Sequence, residues 1–326
     1  MAPAPALSLW LARARVTAFP PAWCEQALAA LCGHDDSRPP PVAALTYRED
    51  FGEQPPGACL RADPVHLRAD TRGLLLFDPA SFALDAAAAQ ALIETLDAHL
   101  ADDGWRLVGR HPQRWYLLGE RAPQLCTAPL PTVRGTPVAT TPYVGDDARR
   151  WTGRVNELQM LMHNHAVNSE RAAQGKPAVN SVWLWGEGEW HAGRGTPYTH
   201  LAADTVFARA VARCGGCESL DLPQRAEAVA GDLPARADVL VVLEDCRDAA
   251  AYEDPAGWQA ALERLERDWF APLLTALRRR QVDALELLPL NGRRYRLTRS
   301  GLRALWRGRG DYAARPGFRQ PAANRV

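Results

Sequence analysis

Charge of one sign is the first thing this chain lacks. Its 326 residues carry 38 Lys or Arg against 38 Asp or Glu, so no whole-molecule field directs it to nucleic acid or to a membrane surface. Long apolar runs are missing too. No stretch approaches the roughly 20 apolar residues of a membrane span. The opening LSLWLARARV is broken by Arg13 and Arg15 and reads as an amphipathic segment, not as a secretion signal. The seven cysteines are scattered and odd in number; with no signal sequence, they predict a reducing cytoplasm. No internal repeat is present. Neither a Walker nor a dinucleotide-binding glycine fingerprint occurs.

What remains is an ordinary soluble composition, 47% apolar, in a chain long enough for one large α/β domain or two smaller ones. Tryptophan is frequent. Ala, Arg and Pro are heavily used, which fits a GC-rich genome as well as any function.

The patterning predicts an irregular N-terminal segment over 1–58, with a helix over Pro21–Leu31 and a short strand over Val42–Tyr47. A small α+β subdomain follows over 59–120. It comprises a strand over Cys59–Asp70, where Cys59, Arg61 and Asp63, then Val65, Leu67 and Ala69, recur with a period of two on either side of a bend or bulge at Pro64, a strand at Leu74–Phe77, a helix capped by Asp85 and running to Ala101, and a hairpin from Trp105–Gly109 and Arg114–Leu118. Residues 121–306 form the core. There Asp147–Asn164 reads as a helix burying Trp151, Val155, Leu158 and Met162, and Ser181–Trp185 as a buried strand. Ala202–Ala212 reads as a helix, Val239–Leu243 as a buried strand and Gly257–Arg279 as a long helix. Two strands turn at Asn291-Gly292. The alternation of strands and helices over 180–300 predicts an α/β fold with a mostly parallel sheet. The Arg-rich tail 307–326 is predicted to be mobile.

The densest chemistry lies between His163 and Gly188. His163 and His165 stand two apart on a helix, so they do not share a face unless the helix ends there. With Asn168 they suit either a ligand or a capping network of hydrogen bonds. Arg171, Lys176 and Asn180 surround a turn that suits an anion or plain solvation. Gly186-Glu187-Gly188 follows a buried strand, where backbone can approach a ligand. Cys214-Gly-Gly-Cys217 has redox or zinc spacing without a second pair, which favours a tight turn. Glu244, Asp245 and Asp248 follow a strand and suit a metal or surface capping. Arg293, Arg294, Arg296, Arg299, Arg303, Arg307 and Arg309 make the C-terminal end locally basic. No stacking platform accompanies them, so nucleic acid is not the expected partner.

The block HNHAVNSERAAQGKPAVNSVWLWGEG resembles cofactor-independent phosphoglycerate mutases of the archaeal type, which have a similar order of HPVN, Arg, GKxPAN, strand and G-x-G. With ADPVHLRAD at 62–70, RWYL at 114–117 and VLEDCRDA at 242–249, most of the chain resembles the RpfE-type regulatory proteins, divergent relatives of those mutases. The resemblance implies an alkaline-phosphatase-like α/β core with an inserted domain, two Mn or Zn ions and a phosphorylated Ser or Thr.

Position by position, the chain departs from that pattern. No strand within 1–60 ends in Asp-Gly. The family's Asp-x-x-x-His falls on Asp248 to Tyr252, with Tyr in place of His. The late Asp-His is missing near Leu288-Pro-Leu290. A two-metal phosphoryl-transfer site needs those groups.

The resemblance therefore implies a mutase-like protein without the metal site and without a resident cofactor, acting in regulation or metabolite sensing. His163, His165, Asn168, Arg171, Lys176, Asn180 and Glu187 are its expected ligand-binding residues. Its expected partner is an anionic small metabolite or a protein, not a membrane. One alternative is an active phosphomutase or phosphohydrolase holding Mn or Zn on rearranged ligands drawn from Asp63, His66, His163, His165, Asp245 and Asp248. Another is a protein-interaction module built on exposed tryptophans and the basic tail.

Overall fold

The strand Ala58–Asp70 organises the larger of two units in the computed structural model, which describes residues 4–304 except 21, 72, 141, 194, 232, 233 and 235. The larger unit comprises 32–195 and 205–215; the other comprises 1–31, 196–204 and the residues from 216 onward. The tail 307–326, with Arg307 and Arg309, lies outside the described residues.

In the larger unit, Ala58–Arg61 pair with Arg114–Gly119, Arg61–Val65 with Ser181–Trp185, and His66–Asp70 with Gly73–Phe77. Arg106–His111 extends the sheet beyond Arg114–Gly119, and Pro137–Val138 extends it beyond Gly73–Phe77. All these pairings are antiparallel, which corrects the expected parallel core. Only two residues separate 70 from 73 and 111 from 114, and such short connections can return a strand only antiparallel. Pro64 does not break the strand. Pairing with Arg114–Gly119 stops at Arg61 and pairing with Gly73–Phe77 starts at His66, so Pro64 sits where neither ladder needs its missing N–H.

Alternation along Ala58–Asp70 separates two faces. Leu60 and Ala62 pack with Leu92, Leu96 and Leu100 of the helix Ala86–Ala101 and with Trp151, Val155, Leu158 and Met162 of the helix Ala148–His163. Asp85 caps the first of these by accepting from Ala88 N at 2.8 Å, as its sequence predicts. Leu92 and Leu96 are fully buried, each contributing about 1.5–3 kcal/mol of burial. On the opposite face Cys59, Tyr116 and Leu118 pack against Ala43 and Tyr47 of a helix, Val42–Phe51. That helix replaces the strand expected at Val42–Tyr47. It packs against both the long strand and the helix Val206–Gly215, and it ends at Gly52 with φ +82°.

The second unit holds two small sheets. His200–Ala202 lies between Val239–Val241 and Glu218–Leu220, all parallel; among the described residues the expected parallel character is confined to these three short strands. Arg293–Thr298 lies between Arg15–Ala18 and Ala284–Leu287, all antiparallel. The hairpin turn carries Gly292 at φ +84°. Leu7, Trp10 and Leu11 of the helix Pro5–Arg13 join Leu262, Leu265, Trp269, Leu277, Tyr295 and Leu297 in one core. The helix expected over 257–279 runs as Pro255–Leu265, a π-helical turn Glu266–Phe270, and Ala271–Arg278. The π turn precedes Pro272, which has no N–H for a regular bond.

Candidate functional site

The residues of the 163–180 block are turned onto the chain's own backbone. The helix Ala148–His163 ends and a second, Ala166–Ala173, begins at once. His165 is the N-cap of the second helix: its Nδ1 accepts from Val167 N at 3.2 Å. The neutral ring then carries its hydrogen on Nε2, which lies 3.0 Å from Thr95 Oγ1. His163 is exposed at the helix end. Asn168 is buried; its Nδ2 donates to the carbonyls of Met162 and Val179 at 2.7 and 2.8 Å, and its Oδ1 accepts from Val179 N at 2.8 Å.

Arg171 is buried and donates to the carbonyls of Pro177, Ala83 and Phe82 at 2.7, 3.0 and 2.7 Å. Burial lowers its pKa. Lys176 is exposed on the turn. The Asn180 amide pairs with both Leu67 N and Leu67 O, at 2.7 and 2.8 Å, so it continues the ladder past the end of Ser181–Trp185.

Beyond that strand lies the loop Gly186-Glu187-Gly188. At ~3.3 Å per residue the strand puts about 20 Å between Gly186 and Asn180, so one small ligand does not span both. Gly186 has φ +77°, and its carbonyl accepts from Ala43 N at 2.8 Å. A Cβ there would meet Val42 Cβ at 3.2 Å. Glu187 is half-buried, and burial raises its pKa.

A charged layer lies buried between the sheet and the helix Val42–Phe51. Arg61 Nε donates to Asp63 Oδ1 at 3.0 Å, and Trp185 Nε1 donates to Asp63 Oδ2 at 2.8 Å. The Arg61 guanidinium lies 5.4 Å from the ring centre of Tyr116 and 5.5 Å from that of Trp185. Tyr116 in turn donates to Asp50 Oδ2 at 2.6 Å, and Arg114 grips both oxygens of Asp50 at 2.7 and 2.9 Å. Burial pushes the Asp63 carboxyl upward, against the pull of Arg61 and Trp185. This layer went unread as a unit in the sequence. Its one local signal is the period of two that sets Cys59, Arg61 and Asp63 on one face.

Near the loop, His34 is also buried. Its Nδ1 accepts from His191 N at 3.3 Å, and Nε2 has no hydrogen-bond partner among the described residues. The His191 ring lies 3.1 Å from Arg38 Nη1. An open cleft of about 540 Å³ is lined by Arg149, Arg150 and Arg154 against Asp103, Asp146 and Glu157, so its charges balance.

The residues proposed for Mn or Zn do not fit a two-metal centre. His66 Nδ1 lies 2.8 Å from the carbonyl of Ala178, both ring nitrogens of His165 are engaged, and Asp63 is held by Arg61 and Trp185. Asp245 and Asp248 are exposed in the second unit. Among the described residues no three His, Cys, Asp or Glu side chains gather as a metal ion requires. Cys214 and Cys217 are free thiols flanking a turn at Gly216, φ +75°; Cys217 Sγ lies 3.3 Å from the carbonyl of Tyr198.

No family model matches the chain. Curated proteins do. It is 25% identical over 184 residues to a 2,3-bisphosphoglycerate-independent phosphoglycerate mutase of Methanosarcina mazei, covering 55% of this chain and 45% of that protein. It is 27% identical over 154 residues to a probable enzyme of the same description from Geobacter sulfurreducens, covering 46% and 37%. The chain thus spans about half the length, or less, of the curated relatives it matches. Among solved structures, the cofactor-independent phosphoglycerate mutase of Thermoplasma acidophilum aligns with a TM-score of 0.36 at 16% identity, covering 81% of this chain and 76% of that one. A Pyrococcus horikoshii protein aligns with a TM-score of 0.45 at 14% identity, covering 86% and 72%.

Proposed function

We propose, from this distant kinship with the mutases, that the chain is a mutase-like protein that binds an anionic metabolite or a protein partner and does not transfer phosphate. The reading rests on one observation above the others. In the block where it most resembles the mutases, His165, Asn168, Arg171 and Asn180 spend their hydrogen bonds on the chain's own backbone and on Thr95. A phosphoryl-transfer site needs such groups free to neutralise charge on substrate and metal. Here they close a helix end, a turn and a strand edge. A regulatory or sensing role is the use of such a fold that needs no turnover.

The test uses the full chain purified from cells grown with added Mn and Zn. Metal content is measured by mass spectrometry, and interconversion of 3- and 2-phosphoglycerate is followed with Mn present. The expected result is far less than one ion per chain and no turnover above the protein-free rate. Two tightly held ions, with turnover abolished by a chelator, would overturn the proposal.

A further inference from the structure

Arg15 and Arg296 stand directly opposite each other in the antiparallel register of Arg15–Ala18 with Arg293–Thr298. Like charges in that position repel. Two residues along the same face, Arg294 stands opposite Thr17. Arg294 and Arg296 share the carboxylate of Glu286, at 3.6 and 3.3 Å. Arg15 has no ion-pair partner among the described residues. This solvent-facing side of the sheet therefore sets three cations against one anion. Its other side is core, where Tyr295 and Leu297 are fully buried.

The strand Arg15–Ala18 is also an edge. Among the described residues it pairs on one side only, and all four of its residues are exposed. Phe19 N donates to Gly292 O at 3.0 Å. In this register Arg15 and Thr17 thus direct their backbone groups to the partner strand, while Val16 and Ala18 direct theirs outward. Val16 is 42% exposed, one of few large apolar side chains so open among the described residues.

We infer that this edge takes up an extended acidic peptide segment of another protein as an added strand. The outward N–H and C=O groups of Val16 and Ala18 would supply the ladder. Alternate carboxylates of the segment would meet Arg15, Arg296 and Arg294, and an apolar residue between them would cover Val16. A second copy of the chain does not suit the edge, because it would bring three more arginines to the same face. Nor do this chain's own residues 305–326, which carry five arginines and one aspartate.

The probe is a labelled peptide of alternating Glu and Val with blocked termini, titrated with the full chain at low salt and followed by fluorescence anisotropy. Binding is expected. Arg15→Glu weakens it roughly tenfold or more, and the milder Arg15→Gln weakens it less. The same peptide N-methylated at alternate residues, in either phase, loses binding in the phase that blocks the ladder, whatever the fold of any variant. Equal binding of a Lys-Val peptide, or of both N-methylated peptides, overturns strand addition by an acidic segment. Tighter binding of an oligonucleotide of equal charge overturns it in favour of nucleic acid. Self-association lost in Arg15→Glu overturns it in favour of a second copy.

Discussion

The indole of Trp185 donates to Asp63 Oδ2 at 2.8 Å, while Arg61 holds Oδ1 of the same carboxylate. Asp63 and Arg61 are 1% and 6% exposed, so each charge depends on the other for its solvation. Arg61→Met alone strands a buried carboxylate and is expected to destabilise the protein by about 3–5 kcal/mol, whereas Arg61→Met with Asp63→Leu costs less than the single change. Urea unfolding followed by tryptophan fluorescence measures both. A single variant within about 1 kcal/mol of wild type contradicts this account of the pair.

Asn168 joins the end of one helix to the start of a strand. Asn168→Ala strips its hydrogen bonds from the buried Val179 N and O, while Met162 O keeps His165 N, a loss of about 2–3 kcal/mol. His163→Ala, at an exposed position, is expected to stay within about 0.5 kcal/mol of wild type. Thermal unfolding of the two variants side by side separates a structural role for this block from a surface one.

Asp50 gives a pH dependence. Burial acts to raise its pKa, but hydrogen bonds from Arg114 and Tyr116 and the Arg114 charge outweigh it, and the folded value lies below the unfolded 3.8. The sign follows from that depression. The carboxylate's stabilisation is complete above 3.8 and is lost as pH falls through the folded value, since protonation then favours the unfolded chain. Stability measured from pH 6 downward is expected to fall below about pH 4, and less steeply in Asp50→Asn, which starts lower.

Thiol chemistry should be selective. Burial, with Glu25 and Glu244 nearby, pushes Cys24 up to about 12, and burial, against the pull of Arg61, brings Cys59 to about 12. Cys126 is exposed. The thiolate is the reacting species, so brief treatment with iodoacetamide near pH 8 is expected to modify Cys126 first and to leave Cys24 and Cys59 intact. Peptide mapping reads the order directly; early modification of Cys59 contradicts the packing around it.

Local signals carried much of the fold. The Asp85 cap, the burial stripe of Trp151, Val155, Leu158 and Met162, the run Ser181–Trp185 and the turn at Asn291-Gly292 each depend on residues within a few positions of one another. Val42–Tyr47 misled because a helix packed on two sides buries nearly every position and loses its 3.6-residue stripe. Strand direction misled because it is set by connections, and composition does not encode them. The partners of Arg171 at Phe82 and Ala83 stand 89 and 88 positions away. Sequence spacing could mark the arginine as important, but it could not distinguish a bound anion from a carbonyl clamp.

The first helix of the chain is held by residues far along it: the Glu266 carboxylate accepts from Ala6 N at 2.6 Å across 260 positions. During synthesis the helix Pro5–Arg13 leaves the ribosome with its apolar face uncovered, and it stays so while the whole sheet built on Ala58–Asp70 is made. Non-local closure of this kind is slow and exposes sticky surface. The larger unit can therefore assemble on the nascent chain before the smaller, whose core needs Leu262, Trp269 and Tyr295. Truncations near the C-terminal end are thus expected to unmask the opening residues to proteases and chaperones.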